Sequence, residues 1–208
     1  MLLAFSLGSY AQVLPEQPNS PIIPPTPGVL EDTLTAKKLA PRQKFQLRVI
    51  QQFGIRGFLG SAISAGIGQG FAEPEAWGPH WDGYGKRYAS AFGVGLSRQL
   101  FALGLDDVLH QDPRYFPSSR AGFRRRFGNV LKQVVIAKQD NGSAVFATSR
   151  IASAFGAGFL ANSWQPKGNG GVADGFERGG LTLAGDAAFF FLQEFLPFTR
   201  NSVFRHHP

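Results

Sequence analysis

The chain has 208 residues, enough for one domain with a sizeable core, and its composition departs from the ordinary in three ways: 26 glycines, 20 phenylalanines and only 17% charged residues. It has no cysteine, which excludes disulfides, cysteine-ligated zinc, iron–sulfur clusters and thiol nucleophiles. The formal charge of +7 is unevenly placed: residues 1–36 carry no Lys or Arg, whereas Lys37, Lys38, Arg42, Lys44, Arg48 and Arg56 form a purely basic stretch. A second basic stretch runs from Arg114 through Arg120, Arg124, Arg125, Arg126 and Lys132 to Lys138, with no acid between 113 and 139. Such clusters attract anionic lipid headgroups or nucleic acid, or simply form a solvated face that keeps a basic protein soluble.

At the N-terminus, Leu2 to Gly8 is a short apolar run, and Ser9-Tyr10-Ala11 places small residues at the −3 and −1 positions of a cleavage site before Gln12. This predicts a secretory signal peptide over 1–11, with its positively charged n-region lying upstream of Met1. Residues 12–41 hold seven of the 14 prolines, which remove amide donors and fix φ, so an extended, disordered spacer is expected there. The leader and spacer predict an exported chain of the cell envelope, in the periplasm or at a membrane.

From Arg42 the pattern turns helical, and a Gly-rich helical domain is expected over 42–198 with a flexible tail over 199–208. Phe45, Leu47, Val49, Ile50 and Phe53 give a basic amphipathic opening segment, with Lys44, Arg48 and Gln51 on its polar side. Gly57 to Ala72 is 16 residues without a charge, and small residues recur in it every fourth position: Gly57, Ser61 and Ala65; Gly60, Ser64 and Gly68; Ala62, Gly66 and Gly70. Such rows let a partner helix approach closely, the small-xxx-small device of membrane helices. Further helices of the same style are expected from about Tyr88 to Leu109, Val145 to Trp164 and Gly179 to Leu196. The fold class read from these elements is mainly α, a bundle of four to five closely packed Gly-rich helices without an extensive sheet. No uncharged run reaches the roughly 20 apolar residues that cross a bilayer.

Three charges interrupt these helices on apolar faces: Arg98 beside Ala91, Gly95, Ala102 and Leu105; Arg150 beside Phe146, Ala147, Ala154 and Ala157; Asp186 beside Thr182, Phe189, Phe190 and Gln193. A lone buried charge is costly, so Asp186 is expected to pair with Arg98 or Arg150, or all three to line one polar seam. Chemistry, if any, is expected in two loops, 77–88 and 110–117. They carry the His-x-Asp pairs His80/Asp82 and His110/Asp112, with Arg114 in a rigid turn after Pro113. Imidazole and carboxylate together serve metal binding or acid–base work, yet this spacing matches no ligand signature, and turn hydrogen bonding accounts for it as well. No nucleophile elbow, HExxH helix, phosphate-binding loop or dinucleotide fingerprint is present.

The stretches Ala65-Gly66-Ile67-Gly68-Gln69, Trp81 to Tyr88 (WDGYGKRY), Asp112-Pro113-Arg114-Tyr115, Gly156-Ala157-Gly158-Phe159 and Gln193-Glu194-Phe195-Leu196-Pro197 together resemble a family of exported Gly-rich bacterial proteins. The resemblance spans about 57–197 and implies no activity. The expected role is therefore structural or interactive: an envelope protein that meets membrane lipid, another envelope protein or a second copy of itself through small-xxx-small helices, with no nucleic acid partner, cofactor or metal. The alternative is a soluble periplasmic enzyme or ligand binder that uses the His80/Asp82 and His110/Asp112 loops.

Overall fold

The computed structural model describes residues 38–118 and 122–196. The expected signal peptide, all but the last four residues of the expected spacer, and the expected tail lie outside them. Among the described residues six α-helices form: α1 Pro41–Phe53, α2 Ile55–Gly70, α3 Trp81–Val108, α4 Phe123–Val135, α5 Thr148–Ala161 and α6 Val172–Phe195. The only sheet among the described residues is a hairpin of β1 Ile136–Lys138 and β2 Ala144–Phe146, paired antiparallel with Ala137 opposite Val145. The fold is thus mainly α, as the periodicity predicts.

The elements depart from the sequence expectation at several points, among them the start of α5 at Thr148, after Val145 is taken into β2. Helix α3 begins at Trp81, so most of the aromatic stretch 77–88 is helix rather than loop. Helix α6 begins seven residues before Gly179, where Gly171 N–H donates to Asp174 Oδ2 at 2.7 Å. Helix α4 was not expected at all; its run of three arginines hides the apolar repeat behind them. At the first helix, Pro41 occupies the first helical position, where its missing N–H costs nothing, and the Ala40 N–H donates to the Gln43 side chain at 2.9 Å.

Helices α1 and α2 run back along α3, as the contacts Arg48–Asp106, Gln52–Phe92 and Tyr84–Ala62 require. Helix α5 packs antiparallel on α3, tied at its ends by Ser149–Asp106 and Trp164–Ser90. Helices α5 and α6 approach through glycine. A Cβ at Gly158 would stand 2.5 Å from the Gly175 carbonyl oxygen, and one at Gly179 would strike the Phe155 ring. In α2 the row facing α3 is Ser61 and Ala65, both buried. By contrast Gly60, Gly66 and Gly70 face open space. Only part of the small-residue pattern is thus used for packing inside the chain.

The distribution of polarity is reversed from that of an ordinary globular domain. Among the described residues, seven of the eleven buried hydrophobic residues are alanine, and the largest fully buried side chain is Lys44. Asp106, Asp186, Glu194, Arg87, Gln52 and Asp112 are buried as well. Phe45, Ile50, Phe53, Ile55, Leu59, Ile63, Ile67 and Phe71 of α1, α2 and the turn after them are exposed instead. Single exposed hydrophobics are unremarkable, but buried charge together with this many exposed large apolar side chains carries information.

Candidate functional site: a polar seam inside the bundle

The seam is assembled from one to three residues on each of five helices. On α1, Lys44 and Arg48 stand four residues apart and so share a face; the structure turns that face inward and the Phe45/Val49 face outward. Arg48 donates from Nε to Asp106 Oδ2 at 2.9 Å and from Nη1 to Gln99 at 3.2 Å. The other oxygen of Asp106 accepts from the Ser149 hydroxyl at 2.5 Å. Lys44 Nζ donates to the Asp106 carbonyl at 3.2 Å and to Asp140 at 3.1 Å, joining α1 to α3 and the hairpin turn.

Asp186, in the middle of α6, forms the second node. Arg98 donates to it from both terminal nitrogens, Nη1 to Oδ1 at 3.0 Å and Nη2 to Oδ2. Arg56 of α2 approaches Oδ1 at 3.6 Å and lies over the Phe189 ring, 3.5 Å from its centre. Arg150 does not bond to Asp186; it donates to the Gln133 carbonyl and lies over the Phe190 ring. Burial alone would push the Asp186 carboxyl up, but Arg98, Arg56 and Arg150 together outweigh it and hold the carboxyl below the usual carboxylate range. Burial likewise works against the charge on Arg98, and Asp186 more than restores it. Arg56 and Arg150 are each lowered to about 10 by burial, against the pull of Asp186 and with repulsion from the neighbouring arginines. Four guanidiniums thus share two carboxylates, and Arg98 Nε is buried without a hydrogen-bond partner.

The two His-x-Asp pairs are not brought together. His80 is the residue before α3 and His110 follows its end, so 28 helical residues, about 42 Å, separate them. Both imidazoles are exposed. Asp82 is an exposed partner of Lys86 at 3.4 Å, one turn along the helix. Asp112 is buried and accepts from the Arg114 backbone N–H and Nε, each at 2.9 Å, closing a local turn. The structure thus places His80 and Asp82 at one end of α3 and His110, Asp112 and Arg114 beyond the other, and does not bring them together into one site. No group of three or more metal-ligating side chains occurs among the described residues.

Arg87, with Gln69, and Tyr115, with Glu194, make structural clasps. Arg87 donates to four acceptors that bind the 69–78 turn: Gln69 Oε1 at 2.6 Å, and the carbonyls of Glu73 at 2.7 Å and of Gly78 and Pro74 at 2.8 Å. Tyr115 donates to buried Glu194 at 2.7 Å, which also accepts from Arg126 Nε at 3.0 Å and from the Ser118 N–H. Burial and the Glu194 hydrogen bond push the Tyr115 phenol up. Sequence reasoning missed Lys44, Arg48, Arg56, Asp106 and Glu194. A signal for Glu194 existed: it is the single acid in the apolar run from Ala187 to Pro197.

No protein family model matches the chain, and neither the curated proteins nor the solved structures contain a significant match to it.

Proposed function

We propose that this protein is an exported envelope protein that lodges at a membrane through the apolar outer faces of its helices and serves a structural or interaction role there. The observation that carries the reading is the placement of polarity: charged side chains buried within the bundle, and large aliphatic and aromatic side chains exposed along α1, α2 and α4. In water such an exterior is an aggregation hazard, whereas lipid makes it the favourable solvent. Buried ion pairs contribute little net stability, but they tie helices whose packing against one another gains nothing from the hydrophobic effect once lipid surrounds them. No helix of the described residues is long and apolar enough to cross a membrane, so the association proposed is by faces rather than by a single-helix span. The leader expected over 1–11 supplies the route out of the cytoplasm.

Fractionation of cells that express the full chain with its native upstream region, followed by alkaline carbonate extraction of membranes, tests the proposal. The processed chain, beginning near Gln12, is expected in the carbonate-resistant pellet. Recovery in the soluble periplasmic fraction overturns membrane association, and recovery of the unprocessed chain in the cytoplasm overturns export.

A further inference from the structure

Helix α4 carries an outward stripe of Phe123, Phe127, Leu131 and Val135, one residue every fourth position, and all four are exposed. At 100° per residue this row drifts only 40° per step, so it forms one continuous band along the helix. Beside the band lie Arg124, Lys132 and Arg125, all exposed. None of these three makes an ion pair or hydrogen bond with the described residues. The remaining face fastens the helix to the body. Val130 is buried, Asn129 donates to the Phe116 carbonyl at 3.1 Å, Gln133 accepts from the Phe116 N–H at 2.9 Å, and Arg126 holds Glu194.

The band continues onto α6. Phe123 stacks on Phe127 at 5.9 Å and meets Phe195 at 5.2 Å; Phe127 meets Phe191 at 6.4 Å, and Phe191 meets Phe195 at 4.6 Å. Four phenyl rings thus form a shelf bordered by three unneutralised cations, and α4 itself has no acid. The nearby carboxylate of Glu194 is already neutralised by Arg126.

We infer that α4 is the headgroup-reading edge of the molecule: an interfacial helix whose phenyl shelf enters the acyl boundary while Arg124, Arg125 and Lys132 contact the phosphates of an anionic bilayer. The inference rests on the membrane reading above and adds to it a lipid class and a place. Charge complementarity selects the anionic surface, since three free cations at the rim of an apolar band are the signature of helices that lie in the bilayer interface. A nucleic acid is the less suitable occupant. The stripe ends in Leu131 and Val135, which offer bases no stacking face, and the rings of Phe123 and Phe127 are already stacked on each other.

The test is flotation of the purified full chain with vesicles of phosphatidylcholine alone and of phosphatidylcholine mixed with phosphatidylglycerol, for the wild type and for an Arg124→Gln/Arg125→Gln/Lys132→Gln variant. The wild type is expected to prefer the anionic vesicles. The triple variant is expected to lose about fivefold in that affinity per cation removed, on the order of a hundredfold in all, with phosphatidylcholine binding unchanged. Because the three exposed side chains make no hydrogen bond or ion pair with the described residues, the variant should keep the wild-type circular dichroism spectrum. A Phe127→Ser variant is expected to weaken binding to both vesicle types. Equal wild-type binding to the two vesicles, or an unaltered triple variant, overturns the inference while leaving the membrane reading in place. Binding to neither vesicle removes both. Loss of binding to a single-stranded oligonucleotide in the triple variant, with vesicle binding unchanged, would reassign the surface to nucleic acid.

Discussion

Arg98 and Asp186 meet across the interior from α3 and α6 with both guanidinium terminal nitrogens on both carboxylate oxygens, and this pair closes the centre of the bundle. Removing one partner of such a pair leaves the other buried and uncompensated. Asp186→Asn is therefore expected to cost about 3 kcal/mol or more, because Arg98, Arg56 and Arg150 then repel one another without a counter-charge. Denaturant unfolding followed by circular dichroism reads the loss. A double variant Arg98→Met/Asp186→Leu should recover part of it, since it removes the unpaired Arg98 while Arg56 and Arg150 keep their charge. If Asp186→Asn leaves the midpoint unchanged, the pair carries no structural weight.

The same carboxylate sets an acid limb. Its pKa in the folded protein lies below its unfolded value of about 3.9, so its contribution is fully present above pH 4 and is lost as pH falls from there through the folded value. Stability measured against pH should drop more steeply below pH 4 in the wild type than in Asp186→Asn. Parallel profiles would show that other carboxylates govern acid unfolding.

Arg56 makes the opposite prediction. Asp186 is already engaged by Arg98, so Arg56 adds a second desolvated cation at a looser 3.6 Å, and its pKa is lowered to about 10. Arg56→Met keeps the stem over Phe189 and removes the charge. Its stability at neutral pH should equal or exceed that of the wild type by about 1 kcal/mol. A marked destabilisation would mean that Arg56 is neutralised by something beyond Asp186.

How much of this could be read from the sequence depended on what the pattern encodes. Four-residue spacing of small residues pointed to α2, α3, α5 and α6 and to close helix packing in general, but not to the Gly158–Gly175 contact, because Gly175 lies before the start expected for its helix. It could not say which row faces inward, because Gly60, Gly66 and Gly70 obey the same period as Ser61 and Ala65. Arg98 and Asp186 stood out as charges on apolar faces. Lys44 and Arg48 did not, since a basic stripe opposite an apolar one reads as a solvated face, and only the tertiary arrangement turns it inward. The His80 and His110 pairs were suggestive by composition alone. Their separation follows from α3 beginning at Trp81, a boundary that the glycines of the 78–85 stretch concealed.

The two classes of glycine separate experimentally. Gly179→Val would place a side chain into the Phe155 ring at the α5/α6 contact, and overpacking there should cost about 1–3 kcal/mol. Gly66→Ala adds a methyl where nothing lies within 4 Å, and in the isolated protein should gain about 1 kcal/mol from helix propensity alone. The comparison that matters is Gly66→Ala in detergent against Gly66→Ala in the native membrane. A glycine is retained at an open helical position at a cost unless something approaches it closely. If the substitution stabilises the protein in detergent yet lowers its recovery in membranes or alters its oligomeric size on native gels, the open face of α2 is occupied there by another helix. If it is stabilising in both settings, that face meets only lipid, and the α2 glycines take no part in association.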